Sequence, residues 1–166
     1  MKHRIFLLRH GHAVPEAPGL RDFERPLSPR GVEEVGRVAR MVAPACAGPG
    51  NWVVSPAART QQTGAIFMEA MDAPHSLAAW DRGYLADAWT WLEWLSSQPE
   101  EWGWLGVIGH NPGLSELAAY LVGEAPEIPT SGWVEIDLGE LPWAQLNRRC
   151  GKIRSFLTPK SLWLPS

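Results

Sequence analysis

The sequence predicts an α/β fold built on a largely parallel sheet, and three observations predict it. Short apolar runs at 5–8, 52–54 and 105–108 each pass straight into a polar loop and then into a segment with helical spacing. Those loops open on cationic or imidazole side chains: Arg9-His10-Gly11, then Ser55-Pro56 with Arg59 just beyond, then Gly109-His110-Asn111. Open α/β sheets bind ligands at the carboxyl ends of their strands, so the polar residues fall where a site is expected.

The first strand covers residues 3–8 and delivers Arg9 and His10 at its end. Gly11 lacks a Cβ, which lets the backbone turn sharply and lets a ligand come close. Residues 12–29 hold Pro15, Pro18, Gly19, Pro26 and Pro29 among many charges, and form a long irregular loop. Loops of that length in a compact domain are usually functional or mobile. Ser28 caps a helix that begins at Pro29 and turns Val32, Val35, Ala39 and Val42 to one apolar face. That helix ends before Pro44 and the Gly48-Pro49-Gly50 turn.

The second strand, 52–54, is closed by Ser55-Pro56, and residues 57–71 form a helix with Arg59 and Thr60 in its first turn. A weaker third strand at 76–80 leads to Asp81-Arg82-Gly83-Tyr84, and a helix follows over 86–98. Strand four, 105–108, runs into Gly109-His110-Asn111-Pro112-Gly113 and a helix over 114–121. Residues 134–138 alternate apolar and polar, which predicts a strand with one solvated face, and 152–157 returns as its antiparallel partner.

With 166 residues and 45% apolar composition the chain fits one domain, 1–166, able to bury a sizeable core. The net charge of −3 gives no support to nucleic-acid binding, so an anion must be held by a local cluster. The two cysteines, Cys46 and Cys150, stand apart with no metal-ligand spacing and read as free thiols of a reducing cytoplasm. The apolar run behind Met1-Lys2-His3-Arg4 is too short for a signal peptide, and nothing reaches membrane-spanning length. A cytoplasmic protein without membrane or nucleic-acid partners is expected. Of ten tryptophans, Trp80, Trp89, Trp91, Trp94 and Trp102 crowd one stretch, where helical spacing points to packing against the sheet rather than to a ring-lined pocket.

Three strand ends thus deliver Arg9, His10, Arg59 and His110, with Arg25 on the long loop free to fold over them. Two guanidiniums grip a phosphate bidentately, and a second imidazole, if protonated, adds donors. A neutral His10 beside a clamped phosphoryl group can attack phosphorus and carry it transiently. Positioning and charge neutralisation do most of the work in phosphoryl transfer, so arginines suffice and no cofactor is called for. A metal site fits less well, because His10 and His12 alternate along an extended chain and His110 has no second ligand nearby. No nucleotide-binding glycine loop follows any strand.

Leu8-Arg9-His10-Gly11-His12-Ala13, Val54-Ser55-Pro56-x-x-Arg59-Thr60-x-x-Thr63 and Ile108-Gly109-His110-Asn111-Pro112 together resemble the histidine phosphatase superfamily, whose blocks occur in this order. The short chain, Arg25-Pro26-Leu27-Ser28 and Thr130-Ser131-Gly132 resemble the SixA-type phosphohistidine phosphatases within it. That resemblance implies a three-layer α/β/α sandwich whose mostly parallel sheet carries one antiparallel strand. It implies His10 as the phosphorylated nucleophile, with Arg9, Arg59 and His110 holding the phosphoryl oxygens and Asn111, in the same block as His110, among the substrate-binding residues. Many members also place a carboxylate after the third strand to protonate the leaving group. Asp81 at the strand end is preferred over Asp87 for this, although it serves equally well as a partner of Arg82 or a turn cap. His12 either touches substrate or lines the loop, and Arg25 either contacts substrate or is solvated.

The expected activity is therefore removal of phosphate from a phosphohistidine-bearing protein through a phosphohistidine intermediate, without metal. The alternatives are a phosphatase of small phosphoesters and, outside enzymes, a phosphate-binding or protein-interaction module.

Overall fold

In the computed structural model, which describes residues 1–71 and 75–161, six strands form one sheet. The order along the chain is β1 (Arg4–Arg9), α1 (Pro29–Val42), β2 (Gly50–Val54), α2 (Ala58–Ala70), β3 (Leu77–Ala79) and α3 (Ala88–Ser96). Then come β4 (Trp104–Gly109), α4 (Gly113–Val122), β5 (Trp133–Asp137) and β6 (Lys152–Leu157). Each bound lies within two residues of the sequence expectation. Across the sheet the strands run β3-β2-β4-β1-β5-β6. The first four are mutually parallel, β5 is antiparallel to β1, and β6 is antiparallel to β5. Only β5 therefore opposes the rest.

Side-chain alternation along the strands supplies both faces of the sandwich. Ile5, Leu7, Val53, Leu105 and Val107 pack with Trp91 and Leu95 of α3 and Leu114, Leu117 and Leu121 of α4. Phe6, Leu8, Trp52, Val54 and Ile108 face the other way, onto Val35, Val38, Ala39 and Val42 of α1 and Phe67 of α2. Phe6 anchors that second face. Its ring centroid lies 4.8 Å from Trp133, 5.4 Å from Trp104 and 6.2 Å from Trp52. A fully buried ring of this size contributes about 1.5–3 kcal/mol, so this aromatic group is a main source of the sheet's stability on the α1–α2 side.

The Trp-rich stretch packs as expected for Trp91, which is fully buried, and for Trp80, Trp94 and Trp102, which lie against the same cluster. Trp89 departs from it: 62% exposed, it meets Tyr120 in a T-shaped ring pair with centroids 5.0 Å apart. Two further expectations change. Val32 is half exposed, and Gly36 and Val38 take its place on the buried face of α1. Glu135, assigned to a solvated face of β5, is buried and pairs with Arg4 at 3.2 Å. Arg154 of β6 also approaches Glu135, at 3.8 Å, and Arg4 in turn donates to Ala45 O in the turn after α1, so the buried charge is partnered.

The cap of α1 forms as the sequence requires: Ser28 Oγ accepts from the Gly31 amide at 3.1 Å, with Pro29 at the first position. Gly11 has a different use from the one expected. A Cβ there would stand 2.5 Å from Val35 Cγ2 and 3.1 Å from the Gly31 carbonyl, so it makes room for α1 rather than for a ligand.

Candidate active site

The carboxyl ends of β1, β2 and β4 meet at one edge of the sheet. His10 follows β1 with its backbone fixed from two sides: its amide donates to Gly109 O at 3.2 Å, and its carbonyl accepts from the Ser131 amide at 3.0 Å. The next amide, Gly11, donates to Thr63 Oγ1 at 3.1 Å, which ties the turn to α2. Arg59 enters from the first turn of α2, and His110 from the loop between β4 and α4.

The imidazole of His10 has a defined tautomer. Nδ1 lies 2.8 Å from the Gly11 carbonyl, which can only accept, so Nδ1 carries the proton and Nε2 keeps its lone pair. Nε2 faces Arg59, whose Nε–H points at it from 3.4 Å. Arg59 Nη2 lies 3.4 Å from His110 Nδ1, and the two imidazole centroids are 5.2 Å apart. His110 Nε2 is held by Ser55 Oγ at 2.7 Å. Arg9 donates from Nη1 to Ile128 O at 3.1 Å, while its Nε is buried with no hydrogen-bond partner among the described residues.

Burial, reinforced by Arg59, Arg9 and Arg25, pushes the pKa of His10 down to about 4. Burial, with His10 and Arg59 adding to it, pushes that of His110 down to about 3. Burial and the nearby Arg59 also lower Arg9, against a smaller opposing pull from Glu127. Both rings are neutral at working pH, so a nitrogen lone pair sits among fixed cations. Such a pocket attracts an anion and offers it a nucleophile.

Two residues of this cluster have no counterpart in the sequence reading. Asp22, in the short helical turn Asp22–Glu24 of the long loop, accepts from Arg59 Nη2 at Oδ2 (3.1 Å), and its backbone carbonyl accepts from Arg59 Nη1 (2.7 Å). Tyr84 donates its hydroxyl proton to the same Oδ2 and sets its ring edge-on to His110, with centroids 5.6 Å apart. The Tyr84 bond, then Arg25 and Arg59, hold the Asp22 carboxyl far below the usual range, while burial and Asp22 raise the Tyr84 phenol. No local signal singles out Asp22 among the charges of 12–29. Ser55 and Thr63, by contrast, stand inside the block that carries Arg59.

Known proteins resemble this chain in sequence and in fold. No family model matches the chain. The uncharacterised protein Rv1276c of Mycobacterium tuberculosis is 30% identical over 165 residues, spanning 92% of this chain and all of its own. SixA from Agrobacterium tumefaciens superposes with a TM-score of 0.80 at 29% identity, covering 94% of this chain and 97% of its own. The protein histidine phosphatase SixA in complex with tungstate superposes with a TM-score of 0.81 at 26% identity, covering 96% and 99%. This chain belongs to the histidine phosphatase superfamily. It is a phosphatase, which sets aside the reading as a mere binding module.

Among histidine phosphatase candidates read from the sequence, the structure gathers Arg9, His10, Arg59 and His110 and leaves others aside. Asn111 is occupied elsewhere: Nδ2 donates to Ile128 O at 2.8 Å, and Oδ1 accepts from the Ser115 hydroxyl and amide at 2.8 and 3.2 Å. It braces the 124–130 loop rather than facing the pocket. His12 lines the loop, its Nδ1 2.7 Å from Ser28 Oγ. Arg25 reaches the site through Asp22, donating to Oδ1 at 2.9 Å and to Val14 O at 2.9 Å. Asp81 is exposed, and no hydrogen bond or ion pair among the described residues joins it to His10, Arg59 or His110. Asp87 caps α3 by accepting from the Thr90 amide at 2.8 Å. Among the described residues no cluster of three or more His, Cys, Asp and Glu that could hold a metal occurs, and no helix is long and apolar enough to cross a membrane.

Proposed function

We propose that this phosphatase removes phosphate from a phosphohistidine-bearing protein through a covalent intermediate on His10. The observation that carries the reading is the fixed tautomer of His10, whose Nδ1–H is committed to Gly11 O and whose Nε2 faces Arg59. In the first step Nε2 bonds to phosphorus as the P–N bond of the substrate breaks, and the departing imidazole takes up a proton. In the second step water attacks the phosphorus, releasing inorganic phosphate and restoring His10. Arg9 and Arg59 hold the phosphoryl oxygens and neutralise their charge, which is where most of the rate enhancement of such a transfer arises. His110, neutral by burial, joins them as a donor when the bound anion favours its protonated form.

The choice of phosphohistidine over small phosphoesters rests on the proton donor. An alkoxide needs a proton to leave, and among the described residues neither Asp81, which is exposed, nor Asp87, which caps α3, is hydrogen-bonded to the cluster. A phosphohistidine nitrogen is protonated readily in water and asks less of the enzyme. The solved relative described as a protein histidine phosphatase is consistent with that choice. The reading includes one catalytic domain at work in the cytoplasm, where the free thiols Cys46 and Cys150 are at home.

The test is a base quench during turnover of a histidine-phosphorylated protein, followed by mass spectrometry, since phosphohistidine survives alkali and not acid. Phosphate on His10, and none in the His10→Ala protein, is the expected result. Turnover with no label on His10, or with label on another residue, overturns the reading.

A further inference from the structure

We infer that Asp22 is a positioning residue that aims the guanidinium of Arg59 at the phosphoryl group, an inference that rests on the phosphatase reading above. A guanidinium offers two forks, one made by Nη1 and Nη2 and the other by Nε and Nη2. Asp22 fills the first: its carbonyl accepts from Nη1 at 2.7 Å and its Oδ2 from Nη2 at 3.1 Å. The second fork faces the reactive edge of the site, with His10 Nε2 and His110 Nδ1 each 3.4 Å away. Those long contacts are weak, so that fork can be given to phosphoryl oxygens while the other stays bound.

The carboxylate that does the aiming is itself held from two directions. Tyr84 donates to Oδ2 and Arg25 Nη1 donates to Oδ1 at 2.9 Å. Rotating Arg59 away from the phosphoryl slot would break its two hydrogen bonds to Asp22, whose carboxylate Tyr84 and Arg25 keep from following. The long loop and the Tyr84 turn therefore act through one side chain of α2. Because Asp22 is held ionised by these partners, it is not a proton donor. Its negative charge also sits beside an anion pocket, which opposes ground-state binding while fixing the geometry for transfer.

That opposition gives the inference its own kinetic signature. In Asp22→Asn the lost charge favours phosphate binding and the loosened fork disfavours it, so KM changes by less than about threefold. The kcat, which depends on alignment in the transition state, falls by about tenfold or more. Tyr84→Phe, which leaves the carboxylate in place with one bond fewer, shows a smaller loss of the same kind and serves where Asp22→Asn fails to fold. In an Arg59→Ala protein, single-turnover rates fall no further when Asp22→Asn is added, because the residue acts through Arg59.

The experiment measures kcat and KM on a chemically histidine-phosphorylated protein for wild type, both single variants and the double variant with Arg59→Ala. Wild-type kcat in Asp22→Asn and in Tyr84→Phe overturns the inference, as does a loss carried wholly in KM or one undiminished without Arg59. Any of these with an active wild type leaves the phosphatase reading standing. A wild type that never turns over overturns both.

Discussion

The hydroxyl of Ser55 lies 2.7 Å from Nε2 of His110, and both side chains are buried. Ser55 Oγ also faces the Ala57 amide, a donor 3.4 Å away, and Arg59 Nη2 approaches the other ring nitrogen as a donor. The consistent assignment is that His110 Nε2–H donates to Ser55 and Nδ1 offers its lone pair to the pocket. Ser55→Ala frees the ring and strands a buried N–H, a cost of about 1–3 kcal/mol. The expected outcome is a fall in kcat of about tenfold on a histidine-phosphorylated protein, since an imidazole free to turn no longer meets the phosphoryl oxygens. An unchanged kcat would show that His110 needs no such support.

The neutral rings set a pH dependence. His10 has a folded pKa of about 4 and His110 of about 3, both below the ordinary 6.5 because of burial and the neighbouring cations. At low pH the unfolded chain then binds more protons than the folded one. Stability from these groups is complete above pH 6.5 and is lost as pH falls toward 4 and below. Melting temperature should drop across that window, and His10→Asn should flatten the drop. Ring resonances followed by NMR should titrate near 4 for His10. Inorganic phosphate should move the His110 midpoint upward, because an anion within contact distance favours its charged form. A midpoint near 6.5 for either free ring would contradict the electrostatics described.

Asp81 offers a third check. Its carboxylate is exposed and has no hydrogen bond to the catalytic cluster among the described residues, so Asp81→Asn is expected to leave kcat/KM on a phosphohistidine substrate within about threefold of wild type. A loss of about a hundredfold, the scale of a general acid, would place a proton donor there after all.

What could be read in the sequence, and what could not, follows from how local each signal is. The Ser28 cap and Pro29 fix the start of α1 to the residue, because the cap and the first helical position are adjacent in sequence. Arg9, His10 and His110 were legible because they close apolar runs, and Arg59 because it opens the helix after one; parallel strands bring such ends to one edge. Asp22 was not legible. Its importance comes from Arg59, 37 residues away, and from Tyr84, 62 residues away, and neither contact leaves a pattern near position 22. Asn111 misled for the opposite reason: it stands beside His110 in sequence, yet its amide is drawn to Ile128 and Ser115. Alternation in β5 likewise could not reveal that β6 and Arg4 enclose Glu135.

That enclosure supports a prediction about stability alone. Glu135 is buried on β5, with Arg4 Nη1 at 3.2 Å across the β1–β5 pair and Arg154 Nε at 3.8 Å from β6. Arg4 also donates to Ala45 O at 2.9 Å, so it ties the sheet to the chain after α1 as well. In Arg4→Met the apolar stem is kept, but the carboxylate faces only the longer contact from Arg154, a side chain open to water. Removing one partner of a buried pair costs about 3–5 kcal/mol, and Arg154 keeps the loss near the lower end, about 3 kcal/mol. Adding Glu135→Gln should recover part of that, because an amide is easier to bury than an unpaired carboxylate. Urea unfolding should show the fall as a lower midpoint at unchanged slope. Arg4 lies at the opposite end of β1 from His10, so kcat should stay at the wild-type value. A cost under about 1 kcal/mol would mean that Arg154 or water already satisfies Glu135.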